Sequence, residues 1–73
     1  MSAQSEFYRA RAIDARADAD AASLDNVKER CLRAAAAWET MADRADRTSK
    51  MRDRQEAEKA ERLALAEVPI QQA

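Results

Sequence analysis

Residues 24–48 read LDNVKERCLRAAAAWETMADRADRT and carry the clearest structural signal in the chain. Apolar or small residues recur there at alternating spacings of three and four, the repeat of a helix that packs along one seam. In heptad terms the a positions hold Leu24, Cys31, Trp38 and Ala45, and the d positions hold Val27, Ala34, Met41 and Thr48. The pattern predicts a coiled-coil-like helix whose apolar seam weakens after Met41.

The composition extends the helical prediction to the rest of the chain. Its 73 residues include 19 alanines and no glycine, and the one proline is Pro69. Alanine, arginine, glutamate, leucine and methionine are the strongest helix formers. No β-branched run or alternating apolar stretch indicates a strand. The sequence therefore predicts an all-α protein.

A cluster of cap-prone residues divides the chain into two predicted helices. Helix 1 is expected over about 6–22, with Ser5 as its N-cap. The next residues, 23–26, include serine, aspartate and asparagine, whose side chains compete for backbone hydrogen bonds. Either Ser23 or Asp25 could cap a second helix starting at about residue 24, and a single uninterrupted helix remains the alternative. If the chain breaks, helix 1 folds back as an antiparallel hairpin and covers the long second helix to around Met41.

Helix 1 carries two apolar faces. A narrow face consists of Tyr8, Ala12, Ala15, Ala19 and Ala22, and a broader one of Phe7, Ala10, Ile13, Ala17, Ala21 and Leu24. Alanine lets another helix approach closely. Two apolar faces predict two neighbours, helix 2 of the same chain and a helix of another chain.

The small number of large apolar residues favours an oligomer. Of the 34 hydrophobic residues only 15 are larger than alanine. In a chain of this length a lone core rarely supplies more than about 3–5 kcal/mol. One cysteine and no histidine exclude a disulfide framework and the common zinc sites as staples. We therefore expect a homo-oligomeric helical bundle, with a dimer favoured.

The predicted organisation is a helical hairpin over 1–54, followed by a charged helical extension over 55–73. Within 43–62, 13 of 20 residues are charged. The extension should end at Val68-Pro69, because proline disfavours helical geometry in the preceding residue, and leave a frayed C-terminus. The residues predicted to form the oligomer or partner interface are Tyr8, Ala12, Ala15, Ala19, Leu24, Val27, Cys31, Ala34, Trp38, Met41 and Ala45.

No constellation of residues points to catalysis, to a cofactor or to a metal. Cys31 occupies a seam position, and the chain has no histidine to act as its base. Carboxylates one helical turn apart, such as Asp14 with Asp18, flank the apolar faces and are read as solvated surface charge. We expect a protein that is not an enzyme.

Charge and hydropathy restrict the classes of partner. The formal net charge is -1, which argues against a general nucleic-acid binder. The basic segment 44–54 nevertheless supports the alternative of a nucleic-acid-associated regulator. No stretch approaches the ~18 apolar residues of a membrane span, and residues 1–6 lack a basic start that leads into an apolar run. No membrane association, no secretory leader and a cytoplasmic location are therefore expected.

Three segments carry a resemblance to known sequences: FYRARA at 7–12, LDNVKERCLR at 24–33 and AWETMADR at 37–44. Together they resemble a group of short helical proteins from alphaproteobacterial genomes that have no assigned activity. The resemblance covers 7–52, implies a bacterial cytosolic protein and carries over no catalytic or binding residue.

The predicted helical oligomer, without catalytic residues, favours a small protein–protein interaction module. We expect it to be either a scaffold or a regulatory adaptor for a larger protein.

Overall fold

The structure, a computed structural model, describes the backbone of residues 2–72 and the side chains of residues 2–66. It consists of two α-helices, α1 (Ala3–Ala21) and α2 (Asp25–Gln72). α1 runs antiparallel to the first half of α2, and the described residues contain no strand. The prediction of an all-α hairpin with a long second helix is confirmed.

α1 begins earlier than predicted, because Ser2 and not Ser5 is its N-cap. Ser2 has extended backbone angles (φ −90°, ψ 156°), and its side chain accepts a hydrogen bond from the Ser5 N–H at 3.0 Å. This bond satisfies one of the free N–H groups of the first turn. Ser5 is completely buried, and its hydroxyl donates to the Ser2 carbonyl oxygen at 2.9 Å. The prediction of Ser5 as the cap was therefore wrong.

The chain reverses direction over residues 22–24 without a glycine. Ala22 is extended (φ −71°, ψ 134°), and its N–H donates to the Ala19 carbonyl oxygen at 3.3 Å. The first turn of α2 then closes with a hydrogen bond from the Lys28 N–H to the Leu24 carbonyl oxygen at 3.0 Å. No described residue has a positive φ, so ordinary backbone angles are enough for this turn. The alternative of one uninterrupted helix is wrong.

The two helices meet through very small side chains. Ala12 and Ala19 of α1, together with Ala35 and Ala42 of α2, are the only buried apolar residues among those described. Each of the four is at most 3% exposed. Because alanine projects little beyond the backbone, this contact brings the two helix axes close together. The narrow alanine face of α1 therefore packs on α2 of the same chain.

The broader apolar face of α1 points outward. Phe7 is 57% exposed and Ile13 is 67% exposed, and Ala10 and Ala17 are exposed as well. Since the narrow face already covers α2, the broader face is largely exposed, although the ring of Phe7 lies beside Trp38 of α2.

The contact line on α2 is rotated from the predicted seam. The fully buried Ala35 and Ala42 occupy e positions of the predicted heptad. Two of the predicted seam residues, Leu24 and Thr48, are exposed. The other seam residues flank the contact line and are half-buried, namely Val27, Cys31, Ala34, Trp38, Met41 and Ala45.

α2 extends far beyond the part that α1 covers. Its last half-buried residue is Ser49, and residues 50–66 are all exposed. α2 also continues past Val68-Pro69, where the sequence predicted its end, and stops at Gln72. Pro69 lies near the end of α2, where only three helical residues follow it and its missing N–H removes a backbone hydrogen bond of the last turn. The prediction that the C-terminus is frayed falls on the last residues of the chain, which lie outside the residues 2–66 whose side chains the structure describes.

Candidate interaction surface

All three aromatic side chains of the protein form one cluster. The Trp38 ring on α2 lies 6.2 Å from Phe7 at 89° and 5.8 Å from Tyr8 at 32°, measured between ring centroids. Phe7 and Tyr8 contact each other at 5.8 Å and 60°. The Arg11 guanidinium lies 5.4 Å from the centroid of the Trp38 ring, within range of a cation–π interaction. Edge-to-face pairs at these distances contribute about 0.5–1.5 kcal/mol each beyond the area they bury.

This cluster belongs to a longer apolar surface, which we call the aromatic flank. Residues seven apart lie on the same side of a helix, so α1 and α2 each present a row of residues beside the contact line. All of these residues are half-buried. The aromatic flank consists of Tyr8 and Ala15 of α1, the C-cap residue Ala22, and Val27, Ala34, Trp38, Met41 and Ala45 of α2.

The opposite side of the hairpin is charged, and we call it the ion-pair flank. Arg9 Nη2 lies 2.7 Å from Asp46 Oδ2 and 3.2 Å from Asp43 Oδ1. Arg16 donates to Glu39 Oε1 from both Nε, at 2.9 Å, and Nη2, at 2.6 Å. Since these pairs are partly exposed, solvent screens them and each contributes little to stability. Their main effect is to fix the antiparallel register of α1 on α2.

Asp46 is the most enclosed carboxylate of the ion-pair flank. Its side chain is 17% exposed, and Oδ1 is buried without a hydrogen-bond partner among the described side chains. The Ser5 hydroxyl donates to the Ser2 carbonyl oxygen in this geometry, and it can rotate to donate to Asp46 instead. The Ser5 hydroxyl, when it donates to the carboxylate, and the hydrogen bond from Arg9 lower the pKa of Asp46, whereas partial burial of the carboxylate opposes them. The hydrogen bonds to Asp46 and Asp43 in turn raise the pKa of Arg9.

The predicted interface residues do not all lie on one surface of the hairpin. Ala12 and Ala19 lie in the contact between the helices of one chain. Leu24 lies in the turn and is 61% exposed. Cys31 is half-buried beside the contact line. The remaining predicted residues form the aromatic flank.

The sequence analysis missed the charged residues that join the two helices. Arg9 and Arg16 are seven residues apart, beside the narrow alanine face, and this spacing was the available signal. Their acidic partners lie more than 20 residues away in the sequence, so no local spacing rule could identify the pairs. Arg11 is a similar case, because its contact with Trp38 depends on the hairpin.

A groove opens at one end of the aromatic flank, between the start of α1 and the middle of α2. It encloses about 280 Å³. Two of the basic residues of segment 44–54, Arg44 and Arg52, border it. Neither forms an ion pair with any side chain among residues 2–66. The residues lining this groove are Ser2, Gln4, Tyr8, Met41, Arg44, Ala45, Thr48, Ser49 and Arg52.

The described part of the chain lacks two other features, a metal-binding cluster and a membrane-spanning helix. Its side chains contain no group of three or more cysteines and carboxylates that could hold a metal ion. Neither helix, over the residues described, combines the length and the apolar character needed to cross a bilayer. No protein-family model, curated protein or solved structure matches the chain, so its function has to be inferred from the chemistry of these surfaces.

Proposed function

We propose that the protein is a non-enzymatic interaction module of the bacterial cytoplasm that works as a homodimer. In this dimer the aromatic flanks of two hairpins pack on each other and form a four-helix bundle. The long second helices would then present a scaffold or regulatory adaptor surface to a larger protein partner.

The observation that carries this proposal is the absence of a conventional core in the described hairpin. The largest fully buried side chain among residues 2–66 is that of Ser5. Every larger apolar side chain in that range is half-buried or exposed. Full burial of such a side chain contributes about 1.5–3 kcal/mol, and the isolated hairpin obtains only part of that. A second hairpin would supply the missing coverage.

The charge distribution favours the aromatic flank as the dimer surface. The ion-pair flank presents Arg9, Arg16, Glu39 and Asp43, whose burial would require desolvation of charged groups. Of the residues that define the aromatic flank, none is charged, and Arg11 lies at its edge over the Trp38 ring. Aromatic residues are also enriched among those that dominate interface energies. Packing through the aromatic flank therefore buries apolar area at the smaller cost.

The decisive experiment compares two charge-introducing variants. Met41→Glu places a carboxylate in the aromatic flank, and Leu32→Glu places one at an exposed position seven residues before Glu39, on the ion-pair flank. Sedimentation equilibrium should give a dimer for the native chain and for Leu32→Glu, and a monomer for Met41→Glu. A native chain that is monomeric, with a melting temperature constant over a hundredfold range of concentration, would disprove the homodimer.

A nucleic-acid-associated regulator is the weaker alternative. The basic segment 44–54 is largely exposed, but the aromatic side chains that could stack on bases are engaged with one another around Trp38. If this alternative were correct, DNA or RNA binding would weaken steeply with salt and would survive Met41→Glu.

A further inference from the structure

The two flanks of the hairpin carry grooves of similar size but different charge, one balanced and one positive. The groove on the ion-pair flank encloses about 270 Å³, and its two arginines, Arg9 and Arg16, are neutralised by Glu39 and Asp43. The groove at the end of the aromatic flank encloses about 280 Å³ and has two arginines but no carboxylate in its lining. In a protein with a net charge of -1, this local excess of positive charge has no structural partner within residues 2–66.

We propose that the groove bordered by Arg44 and Arg52 binds the phosphate group of a small phosphomonoester. Guanidinium groups match the geometry of phosphate oxygens and form bidentate hydrogen bonds with them. The two arginines are eight residues apart on α2, a little over two helical turns, and border the groove from the same helix. This arrangement lets them contact one anion from two directions.

The remaining polar groups of the groove are suited to an anion because they have protons to donate. Tyr8 already accepts a hydrogen bond from Gln4 Nε2 at 3.0 Å, so its own hydroxyl proton is free. Ser2 Oγ accepts from the Ser5 N–H, which likewise leaves the Ser2 hydroxyl proton available. Thr48 and Ser49 add two further hydroxyls.

The volume of the groove indicates a small ligand. It lies just below the usual range of about 300–1,000 Å³ for small-molecule sites, which leaves room for a phosphate and a short organic group. A nucleic-acid strand would instead contact the whole basic segment, including Arg47 and Arg54, which do not line the groove. The groove shares Tyr8, Met41 and Ala45 with the aromatic flank, but its arginines lie outside that flank. The proposed homodimer would cover these three residues, so phosphate binding in the groove and dimerisation through the aromatic flank are expected to compete.

The test is a calorimetric titration of the full chain at constant ionic strength, with inorganic phosphate in one arm and glycerol phosphate in the other. Each should bind saturably with one molecule per chain, and glycerol phosphate should bind more tightly. Arg44→Gln and Arg52→Gln should each weaken binding at least tenfold. Arg54→Gln is the matched control, because it removes the same charge from an exposed position outside the groove and should change affinity less than twofold.

Three outcomes would overturn the proposal. The first is a lack of saturable binding in both arms. The second is a loss in Arg54→Gln as large as that in Arg52→Gln, because it would indicate diffuse attraction along the helix. The third is tight binding of a single-stranded oligonucleotide together with no binding of glycerol phosphate. Circular dichroism of each variant establishes that it is folded, and the mass from sedimentation reports separately on the homodimer.

Discussion

Replacement of Ala19 by leucine tests whether the two helices are held at the distance that alanine sets. Ala19 is completely buried on the face of α1 that packs on α2. The contact surface of α2 is equally well buried, since Ala35 and Ala42 also have no exposed area. Leucine adds three carbon atoms at a point where neither helix leaves space for them.

The expected cost follows from this geometry. Extra carbons in a closely packed contact destabilise a protein by about 1–3 kcal/mol, because side chains leave their preferred rotamers and the backbones shift. A lone core of this size rarely supplies more than about 3–5 kcal/mol, so Ala19→Leu should remove roughly a fifth or more of the stability. The helices can relieve the strain only by moving apart, which would also lengthen the hydrogen bonds between Arg16 and Glu39.

Urea denaturation followed by circular dichroism, at one fixed protein concentration, measures this cost. Ala17→Leu is the matched control, because Ala17 lies on the same helix and is exposed. Its free energy of unfolding should stay within about 0.5 kcal/mol of the native value, as is usual for surface substitutions. If Ala19→Leu were as stable as Ala17→Leu, the close contact between the alanine faces would not exist in solution.

Four further predictions concern other parts of the hairpin. Ser2→Ala should lower the free energy of unfolding by about 1 kcal/mol in urea melts, because the N-cap hydrogen bond to Ser5 is lost. Asp46 has a lower pKa in the folded state, so its contribution to stability is complete above the ordinary carboxyl pKa of about 3.9 and disappears as the pH falls below it. Urea melts at several pH values measure the difference in stability between the native chain and Asp46→Asn. This difference should shrink in acid, and an increase would contradict the pKa shift. Trp38→Ala should lower the free energy of unfolding by about 3–5 kcal/mol if a second hairpin completes the burial of the ring, and by clearly less in a monomer. Sedimentation of the same samples distinguishes the dimer from the monomer. Deletion of 55–73 should leave the melting temperature of the hairpin nearly unchanged, because residues 55–66 are exposed, and a large drop by circular dichroism would reveal a packing role for this segment.

The sequence predicted the helices and their antiparallel arrangement because the relevant signals are local. Ser23 and its polar neighbours interrupt a chain that otherwise has no helix breaker before Pro69. The start of α1 was harder to predict, since Ser2 and Ser5 can both cap a helix. The choice between them depends on the burial of Ser5 near Asp46, which is a tertiary effect.

The exact contact face of α2 could not be predicted for a different physical reason. Residues 34–37 are four consecutive alanines, so they present an equally small side chain in every direction around the helix. A heptad rule placed the larger Trp38 and Met41 at the centre of the seam. Close approach of the backbones instead favours the line through Ala35 and Ala42, and the larger residues move to its edge. The aromatic cluster and the groove beside it follow from this rotation.

The elongated shape of the hairpin changes how a crowded environment acts on it. The protein measures 75 × 14 × 9 Å, and its radius of gyration is 21.2 Å. A compact chain of this length would have a radius of gyration of about 11 Å, and an unfolded one about 26 Å. Excluded volume favours whichever state occupies less space, usually by about 0.2–1 kcal/mol for a compact fold. Because folding contracts this chain so little, crowding should barely stabilise the single hairpin, and its main effect should be to favour the alignment of such rods side by side.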